Sequence, residues 1–347
     1  MVSQVSDENE VRRIVINKQI TLAARPDGFP VPSDFQLIES PFPEPQAGEV
    51  LVRTVYLSVD PYMRGRIRDR KSYAEPVKIG DVMVGEVVGV VEKSRDSSLA
   101  EGEFVRGHLG WQQYATCTAD RLRRVKEGLP ISTALHVVGM PGLTGYFGLL
   151  TVCGVKPGET VVVSGGAGAV GTTVGQIAKI KGCRVVGVAG SDEKIDFITN
   201  ELGFDAGINY KTAEIYPALK AACPDGIDAY FDNVGGTTTD AVFNLINVHG
   251  RMAICGQISQ YNLTEAEYGP RLLWNLITKR AKVEGLLVSD FVDRYGEALK
   301  DLHAWVHEGK IKYRERVTEG IENAAQAFIE MLGGANIGKQ LVRVSKE

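Results

Sequence analysis

The residues best suited to chemistry lie mid-chain, in Ser164-Gly-Gly-Ala-Gly-Ala-Val-Gly171. Gly166, Gly168 and Gly171 make a G-x-G-x-x-G pattern directly after the apolar run ETVVVS and directly before TTVGQIAKIKG, which reads as a helix. Glycine-rich turns are common, but the strand-before, helix-after context is what a dinucleotide loop requires. The glycines let the backbone turn sharply and approach a pyrophosphate, whose charge rests on free N–H groups at the positive end of a helix. Gly166, Gly168, Ala169, Val170 and Gly171 are therefore the candidate phosphate contacts.

The next apolar run, CRVVGVA, bears on which dinucleotide binds. An NAD site places an acidic residue at the end of this strand to bond the ribose 2′-hydroxyl, and that residue would repel a 2′-phosphate. Here Ala189-Gly190-Ser191 leaves room for the phosphate, and Lys194 falls about one turn into the following helix. NADP(H) is the expected cofactor, with Asp192 keeping an NAD reading open. Ligands of open α/β sheets gather at the carboxyl ends of the strands. Those ends give Ser164, Ser191, Tyr210, Asn233 and the turn Cys255-Gly256-Gln257-Ile258-Ser259. Each alone is an ordinary cap or turn former, but together they describe a crevice.

The elements that must position these residues change character along the chain. The first third reads as strands and turns, in LVRTVYLSVDP, DVMVGEVVGVVEKS and EFVRG. From about Ile131, apolar strands alternate with helical patterns, which predicts a parallel sheet covered on both faces. Its strand candidates are ETVVVS, CRVVGVA, AGIN, GIDAYFDN, GRMAICG and KVEGLLV. After the helical stretch RYGEALKDLHAWVHEG, the tail carries KYRERVTEG, a helix over Gln326 to Leu332 and the strand GKQLVRV, and is expected to return to the N-terminal unit.

A chain of 347 residues with 44% hydrophobic content can support two domains of ordinary size. A formal charge of -4 with both signs interspersed offers no basic stripe for a phosphate backbone, so nucleic acid is not an expected partner. The opening MVSQVSDENE is polar and acidic, unlike a signal or transit peptide, and no apolar run is long enough to cross a bilayer. No membrane partner is expected, and a cytoplasmic location is. The five cysteines show no metal-ligand or redox spacing and read as buried free thiols. His303 and His307 stand at i and i+4 but with no third ligand nearby, so no metal site is expected.

Seven segments together resemble a known family: VYLSVDPYMRGR, GMPGLTGYFGLL, VSGGAGAVGTTVGQIAKIKG, GVAGSDEK, FDNVGG, CGQISQYN and GKQLVRV. They are similar to the medium-chain dehydrogenase/reductases, in the branch of the prostaglandin, curcumin and alkenal double-bond reductases. The resemblance covers essentially the whole chain. It implies an α/β fold in which a doubly wound Rossmann domain, residues 131–311, joins a β-rich chaperonin-10-like barrel domain, residues 1–130 plus 312–347. It also implies NADPH dependence and a homodimer. In such reductases the cofactor contacts match the glycine loop, Lys194, Tyr210, Asn233 and Asn336, with the strand near Leu286, Leu287 and Val288 close to the nicotinamide.

Zinc alcohol dehydrogenases of the same superfamily carry Gly-His-Glu where this chain has Val84-Gly85-Glu86, and their cysteine-rich lobe is missing. Without a Lewis acid, alcohol oxidation is not expected. The expected reaction is hydride transfer from NADPH to the β-carbon of an α,β-unsaturated aldehyde or ketone, followed by protonation of the enolate. Tyr62 and Tyr261 match tyrosines lining the substrate site in related reductases, and a tyrosine hydroxyl can bond the carbonyl oxygen or supply a proton. Ser289, just past the last strand candidate, is a further carbonyl contact. A quinone reductase and a non-catalytic NADPH-binding protein remain as alternatives.

Overall fold

The computed structural model describes residues 16–347; the stretch MVSQVSDENE lies outside them. The first third carries β1 (Ile16–Leu22), β2 (Phe35–Pro41), β3 (Glu49–Ser58), β4 (Glu86–Ser94), β5 (Phe104–His108), β6 (Tyr114–Thr118) and β7 (Arg123–Arg124). β1 and β2 form an antiparallel pair, while β3 to β7 belong to a mostly antiparallel seven-stranded sheet. Strands β3 and β4 are apolar on both faces because both are covered. Val52, Leu57 and Val87 pack with Trp111 on one side, and Val55 and Val88 with Leu135 on the other.

Beyond Ile131 come β8 (Thr160–Ser164), β9 (Arg184–Ala189), β10 (Ala206–Asn209), β11 (Ile227–Asp232), β12 (Ile246–Ile254) and β13 (Lys282–Gly285). They form one parallel sheet in the order β10-β9-β8-β11-β12-β13. The five residues of β8 are all buried because helices cover both faces. Val161 and Val163 meet Val174 and Ile177 on one side, and Val162 meets Leu219 and Val242 on the other. Strand order reverses between β8 and β11, and such a switch point opens a crevice at the carboxyl ends of the strands.

The tail supplies β14 (Glu315–Glu319), the helix Ala324–Leu332 and β15 (Lys339–Arg343). As expected, it returns to the first sheet: β15 runs antiparallel to β3, with Leu341 opposite Ser58, and parallel to β14. Phe328 of the tail helix meets Trp111 and Phe35 edge-on at centroid distances of 5.9 and 6.1 Å, which anchors the return.

In the parallel sheet two strand ends differ by three residues or more from the sequence reading. β12 starts at Ile246 rather than Gly250, where Ile246 pairs with Ile227 of β11. β13 stops at Gly285 rather than Val288. After the Leu286 amide donates to the Ile254 carbonyl at 2.9 Å, the chain turns into a short 3-10 segment whose Val288 carbonyl accepts the Tyr295 hydroxyl at 3.1 Å. Among the described residues no helix is long and apolar enough to cross a membrane.

Candidate active site

The crevice at the switch point continues between the two sheets as a cavity of about 1700 Å³. On the parallel-sheet side its wall is largely backbone. Gly165 turns at φ +60°, a left-handed conformation that glycine adopts without steric cost. Gly171 lies so close over the turn that a Cβ would run into the Gly165 carbonyl oxygen. The helix Ala169–Ile180 opens with a bond from the Thr172 amide to the Gly168 carbonyl at 3.0 Å. The amides of Ala169, Val170 and Gly171 thus have no acceptor within the helix, and with Gly168 these residues line the cavity. A pyrophosphate fits this end on both charge and clearance.

Beneath the loop, Asp232 is fully buried at the end of β11 and organises the turns around it. Its Oδ1 accepts from Ser164 Oγ, Tyr230 OH and the amides of Val234 and Gly235, each at 2.9 Å; its Oδ2 accepts from Thr239 Oγ1 at 2.6 Å. Its carbonyl takes the amides of Cys255 and Gly256 at 2.8 and 3.0 Å. Asn233 is tied to Ser164 twice, through its own amide and through Nδ2, at 2.9 and 2.7 Å. Through its carboxylate and its carbonyl together, this one residue sets the relative positions of the loops after β8, β11 and β12. Sequence reasoning passed over it, although it sits inside FDNVGG.

At the end of β9, Lys194 donates to the Gly334 carbonyl at 2.7 Å, and Tyr210 and Lys211 line the cavity beside it. Burial, helped by the neighbouring Lys211 ammonium and opposed by Glu193, lowers the Lys194 pKa. Two ammonium groups here make a site for an anion. Lys211 was missed; its signal was its place one residue after Tyr210, off the strand that pairs with β9. Asp192 does not line the cavity, because its Oδ1 is engaged by Asn209 Nδ2 at 2.7 Å.

Most of the expected cofactor contacts converge on this cavity: Cys255, Gly256, Ile258, Ser259, Leu286, Leu287, Val288 and Asn336 line it, the last with its Nδ2 bonded to the Gly338 carbonyl at 2.7 Å. Two stand back from its wall. Gly166 lies behind the loop, where a Cβ would come within 3.2 Å of the Gly187 Cα, so its role is close packing on β9. Ser191 caps the following helix, its Oγ accepting the Lys194 amide at 3.3 Å.

The opposite wall is built from side chains on loops. Tyr62, on the turn after β3, is pushed far up in pKa by burial and by the nearby Asp60 and Glu86. Beneath it a buried ion pair joins Lys339 Nζ to Asp60 Oδ1 at 2.6 Å. Tyr261 lies on the loop after β12, and its hydroxyl accepts the Gln257 amide at 3.2 Å, which leaves its own proton free to donate. Burial also raises its pKa. Tyr73, missed from the sequence, is close enough for the two phenols to feel each other's charge. Ser289 lines the cavity from an exposed position in the 3-10 turn. Neutral phenols facing a cavity can hold a carbonyl oxygen and donate a proton.

Two family models match: an N-terminal domain of oxidoreductase over residues 18–125 and a zinc-binding dehydrogenase over residues 169–304. The second description implies a metal, and the residues here do not fit one. Glu86 is paired with Arg106 at 3.1 Å. A Cβ at Gly85 would already stand 2.9 Å from Leu57 and Trp111. Among the described residues no group of three His, Cys, Asp or Glu could hold an ion, and this includes His303 and His307.

A putative NADP-dependent oxidoreductase of Bacillus subtilis, YfmJ, is 53% identical over 332 residues, 94% of this chain and 98% of that protein. The NADPH-dependent curcumin reductase of Escherichia coli is 46% identical over 95% of this chain and 97% of its own. The crystal structure of CurA from Vibrio vulnificus in complex with NADPH superposes with a TM-score of 0.92 at 47% identity, covering 95% of this chain and 100% of that one. The chain belongs to the medium-chain dehydrogenase/reductase family, in the branch that holds curcumin reductase, prostaglandin reductase 1 and 2-alkenal reductase.

Proposed function

We propose that this chain reduces the carbon–carbon double bond of α,β-unsaturated aldehydes and ketones, with NADPH as its cofactor. The observation that carries the reading is one continuous cavity with an anion site at Lys194 and Lys211, a glycine loop, and two protonated tyrosines on the opposite wall. When bound, NADPH would supply a hydride to the β-carbon of the substrate. The free amides of Ala169, Val170 and Gly171 would hold the pyrophosphate, and Lys194, Lys211 and Tyr210 would take the 2′-phosphate. Asn233 and Asn336 would flank the cofactor, and Cys255, Gly256, Ile258 and Ser259 with Leu286 to Val288 would form its far wall.

The remaining task is to hold the carbonyl oxygen as negative charge develops and to return a proton to the α-carbon. Tyr261 takes the leading part because its hydroxyl keeps a free proton, Tyr62 the second, and Ser289 a lesser contact. The apolar lining of Val138, Met140, Leu143, Val292 and Leu299 suits a hydrophobic chain or ring.

We read the chain as two domains, 131–311 and 1–130 plus 312–347, acting in the cytoplasm as a homodimer. The dimer is supported by β13, the outer edge of the parallel sheet, beside Leu273, Trp274 and Ile277, which are 67–70% exposed. Light scattering on the eluting protein should give twice the chain mass.

The test of the reaction is NADPH oxidation at 340 nm with a panel of enals, enones and quinones, NADH in parallel, and product mass. A saturated carbonyl product with NADPH preferred is expected. Turnover of quinones alone, or none in a protein that binds NADPH, would sink the reading.

A further inference from the structure

Between the two tyrosine-bearing loops lies a side chain that does not line the cavity. Arg64 follows Tyr62 by two residues and is 1% exposed. Its Nε donates to Asn262 Oδ1 at 2.8 Å and its Nη2 to the Gly28 carbonyl at 2.6 Å. Asn262 is the neighbour of Tyr261. One turn further on, Arg68 Nη2 donates to the Leu263 carbonyl at 2.9 Å. Two guanidinium groups from the first sheet's side thus grip consecutive residues, 262 and 263, of the loop that extends from the parallel sheet.

The electrostatics of Arg64 are costly for a residue of purely structural value. Among the described residues it has no carboxylate partner, and its Nη1 is buried without a hydrogen-bond acceptor. Burial lowers its pKa to about 10, with Arg68 adding to the shift and Asp34 opposing it. A well-packed apolar side chain in such a place generally gives equal or better stability. What a hydrocarbon could not supply is two directed bonds, one to the Tyr261 loop and one to the segment around Gly28.

We propose that Arg64 is a positioning residue: by holding Asn262 and Gly28 it fixes the Tyr261 loop against the Tyr62 turn, so that both hydroxyls address one substrate. This rests on the double-bond reductase reading for its kinetic consequence, but the clasp is a statement about the loop and can be read without turnover. Displacing a catalytic group by about 1 Å can cost on the order of a hundredfold in rate. Removing the clasp therefore reduces kcat for the enone while leaving the glycine loop, and so NADPH affinity, untouched.

The experiment uses Asn262→Ala, Asn262→Asp, Arg64→Ala, Tyr261→Phe and the double variant Asn262→Ala with Tyr261→Phe. Asn262→Ala is expected to lower kcat by about 10- to 100-fold with NADPH affinity within about twofold of the parent. Asn262→Asp, which offers Arg64 a carboxylate, should restore most of it. If Arg64 acts through Tyr261, the double variant loses little beyond Tyr261→Phe alone; losses that multiply would overturn the proposal. Arg64→Ala should repeat the kinetic pattern, and Asn262→Ala carries the test should that variant not fold. Amide hydrogen exchange across residues 257–264 reads the clasp directly. Faster exchange there in Asn262→Ala supports it even if the parent reduces no enone, which would refute only the reaction assigned above. Unchanged exchange overturns it.

Discussion

The two walls of the cleft are made in different ways. On the parallel-sheet side, shape comes from backbone: glycines at the loop, amides at a helix end, and turns gathered around Asp232, whose carboxylate accepts from five donors. On the other side, shape comes from side chains: Tyr62, Tyr73 and Tyr261 stand on connections, and Arg64 and Arg68 hold the one that carries Tyr261. A backbone wall fits the cofactor, whose phosphates need only N–H groups and clearance. A side-chain wall suits substrates, because one substitution changes its shape without disturbing a sheet.

The sharpest way to break this contrast is Gly171→Ala. A methyl group has no space against the Gly165 carbonyl, and both partners are backbone that cannot swing aside. We expect a destabilisation of about 2–3 kcal/mol and NADPH affinity reduced by about a hundredfold or more, a loss of about 3 kcal/mol, measured by thermal melting and cofactor titration. Near-normal NADPH binding by this variant would show that the loop is not the rigid cradle described above.

Next in size is the anion site, where side-chain charge rather than backbone decides. Lys194→Ala should weaken NADPH by about 10- to 100-fold, the worth of a charge-assisted hydrogen bond of about 1.5–3 kcal/mol. NADH should be nearly unaffected, since it lacks the phosphate. Lys211→Ala should give a smaller loss of the same kind, because Lys211 is exposed where Lys194 is half-buried. Equal losses for NADPH and NADH would mean that Lys194 supports the tail through the Gly334 carbonyl rather than the cofactor through its phosphate.

The same contrast governs what was legible in the sequence. The glycine loop, its strand and its helix are local, and their spacing alone located them. The missing acidic residue after β9 and the lysine one turn later were equally local. Lys211 escaped because its value depends on β10 lying beside β9, and Asp232 because a buried carboxylate with five donors looks in sequence like any strand-end aspartate. Arg64 and Asn262 are 198 positions apart, and nothing in either segment names the other. The shortened β13 was unreadable for a similar reason: Leu286 leaves the ladder to pack beside Gly148, far back in the chain.

The smallest effect expected concerns protons. If the substrate wall works through neutral phenols, its pH response follows from their burial. Tyr261 and Tyr62 both have pKa values raised above the ordinary value of 10.0, because a phenolate would be desolvated among apolar groups and nearby carboxylates. The protonated form is the one that donates to a carbonyl oxygen, and raising the pKa extends its range upward. Between pH 7 and about 10, kcat should therefore change by less than about twofold on account of these groups, whereas an unshifted phenol would be about half ionised at the upper end and lose the full twofold. A fall in kcat with an apparent pKa near 8 or 9 would assign the proton to some other group and reduce the tyrosines to packing. Because Tyr261→Phe lacks the group, the comparison is internal: any alkaline limb that survives this substitution does not belong to Tyr261.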